Sequence, residues 1–157
     1  MPRILRAPSN HASVYDAQQV GRRLARPKVA FMWTPLAIGS PDVRGNRSSA
    51  YWPGKAFVDW VGTDLYAKYD SGSMRTAVTS LYRRHNLPFA IGEYSPWNKD
   101  PKGHYTRHIF HWAESHHRVG MLIYYRSVTT RTHFAVGHWP AAERVIRNQL
   151  NKREFGR

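Results

Sequence analysis

Pro88-Phe89-Ala90-Ile91-Gly92-Glu93-Tyr94-Ser95-Pro96-Trp97 is a short apolar run that breaks off on a carboxylate. Proline and glycine bound the run, which is too short for a helix and too continuous for a half-solvated strand. It reads as a buried strand of a parallel sheet, with Glu93 at its C-terminal end. In β/α architectures the reacting groups sit at strand C-termini, where the loops open to solvent. Glu93, followed by Tyr94 and Trp97, therefore reads as a working carboxylate with aromatic neighbours. The ordinary alternative is a strand-end glutamate that caps the next helix or pairs with an arginine, and one glutamate does not decide between them.

Working outward, Ser13 caps a helix expected over 14–25, with Val14, Ala17, Val20 and Leu24 on its buried face. Val29 to Trp33 reads as a strand stopped by Thr34-Pro35. Residues 36–56, rich in Gly, Ser, Asn and Pro, form a connection long enough to be functional rather than idle. Phe57 to Tyr66 reads as the next strand, and its parity sends Asp64 and Tyr66 out at its C-terminal end on one side. A helix from Ser73 to about His85 returns the chain to the Glu93 strand. Pro101 opens a helix running to about His117, Val119 to Tyr125 is a fourth strand, and Pro140 starts a last helix. Strands alternating with helices at this spacing imply right-handed crossovers and a parallel sheet. No glycine-rich phosphate fingerprint follows any strand, which argues against a nucleotide-binding doubly wound fold.

Composition bounds the reading. With 157 residues, 41% hydrophobic and 13% aromatic, the chain is globular and of one-domain length. It falls short of the roughly 250 residues of a complete eightfold β/α barrel. There is no cysteine, so neither disulfides nor thiolate chemistry contributes. The first residues carry no apolar core of signal-peptide length, and no stretch approaches the roughly 20 apolar residues of a membrane span. The formal charge of +14, from 24 Lys and Arg against ten Asp and Glu, invites a nucleic-acid reading. The basic residues are dispersed as pairs, Arg22-Arg23, Arg83-Arg84 and Lys152-Arg153, late in helix-like segments where cations favour the negative end of the dipole. No nucleic-acid recognition signature accompanies them, so nucleic acid is not the expected partner.

Taken together, Trp33-Thr-Pro35, Tyr51-Trp-Pro-Gly54, Val58-Asp-Trp-Val-Gly-Thr-Asp-Leu-Tyr66, Phe89-Ala-Ile-Gly-Glu93 and Met121-Leu-Ile-Tyr-Tyr125 resemble the C-terminal half of a glycoside hydrolase family 26 domain, the β-mannanase-like family, over about 14–150. The combination carries the resemblance; no single motif does. It implies a TIM barrel, (β/α)8, of which the four strands here are strands five to eight, and a single partial domain over 1–157. It implies that Glu93 is the catalytic nucleophile and that Tyr66 supports it. Trp33, Trp97 and Tyr124 or Tyr125 become sugar-facing aromatics. Asp64 is placed to substitute geometrically for a second carboxyl, but the family motif assigns it no acid role, and it reads as a substrate-side, orienting hydrogen-bond partner. The implied substrate is a β-linked polysaccharide of mannan type, with no cofactor and no metal, and most of the family is secreted.

The chain departs from that family in one essential way. The family's acid/base glutamate ends strand four, in the half that would precede this sequence, and no glutamate precedes Glu93 here. Retaining hydrolysis needs two carboxyls about 5 to 5.5 Å apart. The chain therefore reads as a fragment awaiting an N-terminal half barrel, inactive alone. Two other readings stay open: a non-catalytic carbohydrate-binding remnant using Trp33, Tyr66 and Trp97, and a basic polyanion binder. His104, His108 and His111 share one helical face at metal-ligand spacing, but no glutamate accompanies them in a zinc-protease arrangement, and Arg107 and Arg118 add opposing charge. For Trp60 and Trp112 core packing is the expectation.

Overall fold

The computed structural model describes residues 30–97, 99–127 and 134–152. The expected helix over 14–25, the start of the first strand at Val29 and the chain's last residues lie outside them. Within these residues the protein is an α/β fold: a four-stranded parallel sheet with flanking helices. Its strands are β1 (Met32–Trp33), β2 (Trp60–Tyr66), β3 (Phe89–Ser95) and β4 (Val119–Tyr124), and the helices are α1 (Gly72–Arg84), α2 (His104–Glu114) and α3 (Pro140–Leu150). The spatial order β1-β2-β3-β4 follows the chain without reversal. Right-handed crossovers in that order place successive helices on the same face of the sheet.

One face of the sheet and the helices share a single core. Val61, Leu65, Phe89, Ile91 and Tyr94 from the strands meet Val78, Leu81 and Tyr82 of α1, Ile109 and Phe110 of α2 and Val145 of α3. Phe89 is fully buried. Truncating such a side chain to alanine costs about 3–5 kcal/mol, through lost transfer energy and the cavity left behind. Among the described residues no helix covers the opposite face, since all three pack in that core. There Met32, Met121 and Ile123 remain 39%, 41% and 40% exposed, so apolar side chains at strand positions face solvent.

Glycines shape that open face. Trp60 lies across it, and a Cβ on Gly120 would sit 3.0 Å from the tryptophan ring. A Cβ on Gly92 would sit 2.8 Å from the Thr34 methyl and 3.0 Å from Asp64 Oδ1. Gly92 is also the extra residue of a bulge, since Thr63 pairs with Ile91 while Asp64 pairs with Glu93. The bulge turns Glu93 onto the open face beside Asp64.

Several boundaries differ from the sequence expectation. β3 does not end at Glu93; pairing continues to Tyr66 opposite Ser95, which places Glu93 two residues inside the strand. Residues 57–59 are not strand. A 3₁₀ turn occupies Lys55–Phe57, and the Asp59 carboxylate accepts the Phe31 amide at 2.8 Å, so ladder pairing starts at Trp60. Pro101 lies in a turn, and α2 begins at His104. Its first turn is satisfied from outside, by the buried Asp100 carboxylate, which accepts the Tyr105 and Thr106 amides at 3.0 and 2.9 Å and the Thr106 hydroxyl at 2.7 Å. A carboxylate there meets both orphan donors and the positive end of the helix dipole.

Arg118 ties the end of α1 to the sheet. Its guanidinium donates to the carbonyls of Tyr82 at 2.7 Å, Leu87 at 3.0 Å and His85, and lies 4.0 Å over the Tyr82 ring. A planar cation of this shape answers the unsatisfied carbonyls at a helix C-terminus.

Candidate active site

Adjacent strands lie about 4.8 Å apart, so the pairing of Asp64 with Glu93 sets two carboxyls side by side at the C-terminal end of the sheet. Both are half-buried. Tyr66, two residues beyond Asp64 on the same side of β2, donates its hydroxyl to Glu93 Oε2. Burial and that hydrogen bond raise the Tyr66 pKa, so the phenol stays protonated and fixes one oxygen of the carboxylate.

Asp64 behaves differently. Burial, and then the Glu93 charge beside it, push its pKa up to about 6, against the opposing pull of the Glu93 amide donating to it. Two adjacent carboxyls resist carrying two charges, and here Asp64 is the one that keeps a proton into the mildly acidic range. Its folded-state pKa stands above the unfolded value of 3.8, so the native chain binds the extra proton. The associated stability is fully present below pH 3.8 and is lost as pH rises through about 6. Because the group is half-exposed, solvent screening leaves about 1 kcal/mol of this effect. The urea stability of Asp64→Asn relative to the native chain is therefore expected to rise between pH 4 and 8, to about 1 kcal/mol in the variant's favour at pH 8, the contribution of the buried histidines being common to both. A difference between the two chains that does not change over that range contradicts the assignment.

Aromatic rings wall the carboxyls. Trp97 meets Tyr66 edge-on at 5.1 Å, Tyr69 at 5.4 Å and Phe134 at 4.9 Å, with Lys68 Nζ 4.7 Å over its ring. Its φ of 36° makes it the one non-glycine among the described residues with a left-handed backbone. A bulky side chain tolerates that only where its surroundings hold it, as this ring cluster does. Tyr125 is 37% exposed and packs edge-on against Tyr66 at 6.1 Å and Phe134 at 4.9 Å.

The structure thus brings together Glu93, Asp64, Tyr66, Trp97 and Tyr125, and it removes two residues from the expected sugar-facing set. Trp33 is 5% exposed on the core face, with its ring 4.9 Å from Trp52 and 5.5 Å from His85. Strand parity explains this: Met32 and Thr34 take the open face, and Trp33 between them cannot. Tyr124 likewise turns to the core side, meeting Tyr94 at 5.2 Å and donating its hydroxyl to the Phe134 carbonyl at 2.7 Å. Trp60 departs from the core expectation by lying on the open face, whereas Trp112 packs with Tyr82, Phe89 and His116 as expected.

Sequence reading missed Thr34, Tyr69 and Phe134. Parity with Met32 was the available signal for Thr34, while Phe134 is distant in sequence and carried none. Among the described residues no group of three His, Asp or Glu side chains is placed to hold a metal, and no helix is long and apolar enough to cross a membrane. No protein-family model matches the chain, and no curated protein matches its sequence.

Proposed function

We propose that this chain is the strand-five-to-eight half of a (β/α)8 barrel and carries the nucleophile side of a retaining, β-mannanase-like glycoside hydrolase. The observation that carries the reading is Glu93, oriented by the Tyr66 hydroxyl on the open face of a parallel sheet whose strands run in unbroken order. A closed barrel would bury the apolar side chains of that face, Met32, Met121 and Ile123, inside its interior. It would also pair the outer strands β1 and β4 with neighbours. In the reaction, Glu93 attacks the anomeric carbon as the glycosidic C–O bond breaks, and the leaving oxygen takes the bonding pair and a proton from a second carboxyl. Asp64 sits in the same row as the nucleophile and serves to orient it and the sugar. The proton donor belongs to a complementary half barrel.

This division of labour has a direct test. A polysaccharide alkoxide leaves only if protonated, whereas dinitrophenolate leaves without an acid. The purified chain is expected to leave mannan intact yet to release close to one equivalent of dinitrophenolate from dinitrophenyl β-mannoside, stopping at the glycosyl-enzyme. Mannan hydrolysis by the chain alone would show that no second half is needed; absence of the burst would remove Glu93 as nucleophile.

A second reading, sugar binding without hydrolysis, is favoured by the rings of Tyr66, Tyr69, Trp97 and Tyr125 gathered at one edge of the sheet. It predicts manno-oligosaccharide binding that survives Glu93→Gln and falls with Trp97→Ala.

A further inference from the structure

Three successive loops at the C-terminal edge of the sheet, the edge that carries Glu93, each bring a cation. Lys68 follows β2, Lys99 and Lys102 follow β3, and Arg126 follows β4, and all four are exposed. Among the described residues none of the four is in an ion pair. Between the first two loops lies a cleft of about 300 Å³, lined by Ala67, Asp70 and Arg75 from the chain after β2 and by Lys99, Lys102 and His104 from the chain after β3.

The carboxylates that line this cleft are already answered. Asp70 is held by the Arg75 guanidinium at two points, with Nε 2.9 Å from Oδ1. Asp100 is 2% exposed and accepts from the Tyr105 and Thr106 amides and the Thr106 hydroxyl, so its charge is turned inward. Lys99 and Lys102 are left as two positive charges without a counter-charge at one solvent-open cleft. An ammonium group meets an oxyanion as a point charge from any direction, and a charged acceptor gains about twice what a neutral hydroxyl gains. A neutral mannan makes no use of either charge.

The cleft adjoins the rings that wall the carboxyl pair. Ala67 directly follows Tyr66, and Lys99 stands two residues after Trp97. Lys68, with its Nζ 4.7 Å over the Trp97 ring, stands between the two places. We propose that the polysaccharide taken by this edge is acidic, a β-linked chain carrying a carboxylate or sulfate on its sugars, and that the cleft between Lys99 and Lys102 receives one such oxyanion while the rings hold a neighbouring sugar. The inference rests on the reading of this edge as a sugar site and narrows its substrate class. It also gives the charge of the edge a use, since a basic rim draws in an anionic polymer.

The probes are mannotetraose, the tetrasaccharide of β-linked mannuronate, and sulfated mannotetraose, titrated calorimetrically into the purified chain at low salt. At least one acidic tetrasaccharide is expected to bind about tenfold tighter than mannotetraose, the combined effect of two exposed charge pairs, with the excess fading as salt rises. Which of the two binds tighter identifies the oxyanion. Lys99→Gln/Lys102→Gln should erase the excess. Arg83→Gln/Arg84→Gln, which removes as much charge from the far end of α1, should keep it. Absence of the excess, its persistence in Lys99→Gln/Lys102→Gln, or an equal loss in Arg83→Gln/Arg84→Gln would each overturn the proposal, the last because dispersed charge would then explain the binding. A single-stranded tetranucleotide that binds as tightly as the acidic sugars would overturn it too, by assigning the cleft to nucleic acid. The proposal and the hydrolase reading fail separately: a dinitrophenolate burst without the excess removes the acidic substrate alone, and the excess without a burst removes the nucleophile alone.

Discussion

Glu93→Gln is expected to abolish the dinitrophenolate burst, slowing release by at least about 10³-fold, because an amide cannot form the glycosyl ester that a carboxylate forms. The substitution is nearly isosteric. Its amide oxygen still accepts from Tyr66, so circular dichroism and the urea midpoint should hold while chemistry is lost. Tyr66→Phe separates orientation from nucleophilicity. It removes one hydrogen bond to a charged group, worth about 1.5–3 kcal/mol, and should slow the burst roughly 10- to 100-fold without eliminating it. Equal losses in the two variants would mean that Glu93 acts through the integrity of the ring cluster rather than as the attacking group.

Asp100→Ala is expected to be the most destabilising polar substitution, at about 3 kcal/mol and a fall in Tm of roughly 6–12 °C. Asp100 is 2% exposed and accepts three hydrogen bonds from the first turn of α2. Its removal strands two buried amides and the fully buried Thr106 hydroxyl at the positive end of a helix. Asp100→Asn keeps one oxygen acceptor and should cost about half as much. Because α2 carries Ile109 and Phe110 into the core, the loss should appear as a lower urea midpoint at unchanged slope. A midpoint unchanged in Asp100→Ala would show that water replaces the carboxylate at no cost.

The strand and helix order was legible in the sequence because apolar periodicity reports it directly. Val61, Leu65, Phe89 and Ile91 read as strand, the residues from Ser73 to about His85 as a helix, and Pro140 as a helix start, and all occupy those places to within a residue. Element ends were less legible because tertiary contacts fix them. Asp100 reaches forward to cap α2, and Gly103 takes φ +66° where a Cβ would strike the Ala141 backbone at 2.9 Å. Pro101 stands closer in sequence to an expected helix start, yet neither of those contacts is visible from local pattern.

The site divides in the same way. Parity alone places Asp64 and Tyr66 on one side of β2, and the structure keeps them there. Trp33 was misplaced because its resemblance-derived role outweighed its own strand parity, which sends it to the core. Glu93 reaches the open face only through the bulge at Gly92, a one-residue slip that flips a side chain from one face to the other.

The most direct test of the central claim is mass spectrometry of the chain after incubation with a dinitrophenyl 2-deoxy-2-fluoro-β-mannoside, whose activated leaving group needs no acid and whose fluorine slows release of the covalent intermediate. The account predicts a mass increase of one fluoromannosyl unit, carried by the peptide that contains Glu93 and absent from Glu93→Gln. An unmodified chain, or a label on any other residue, would contradict it.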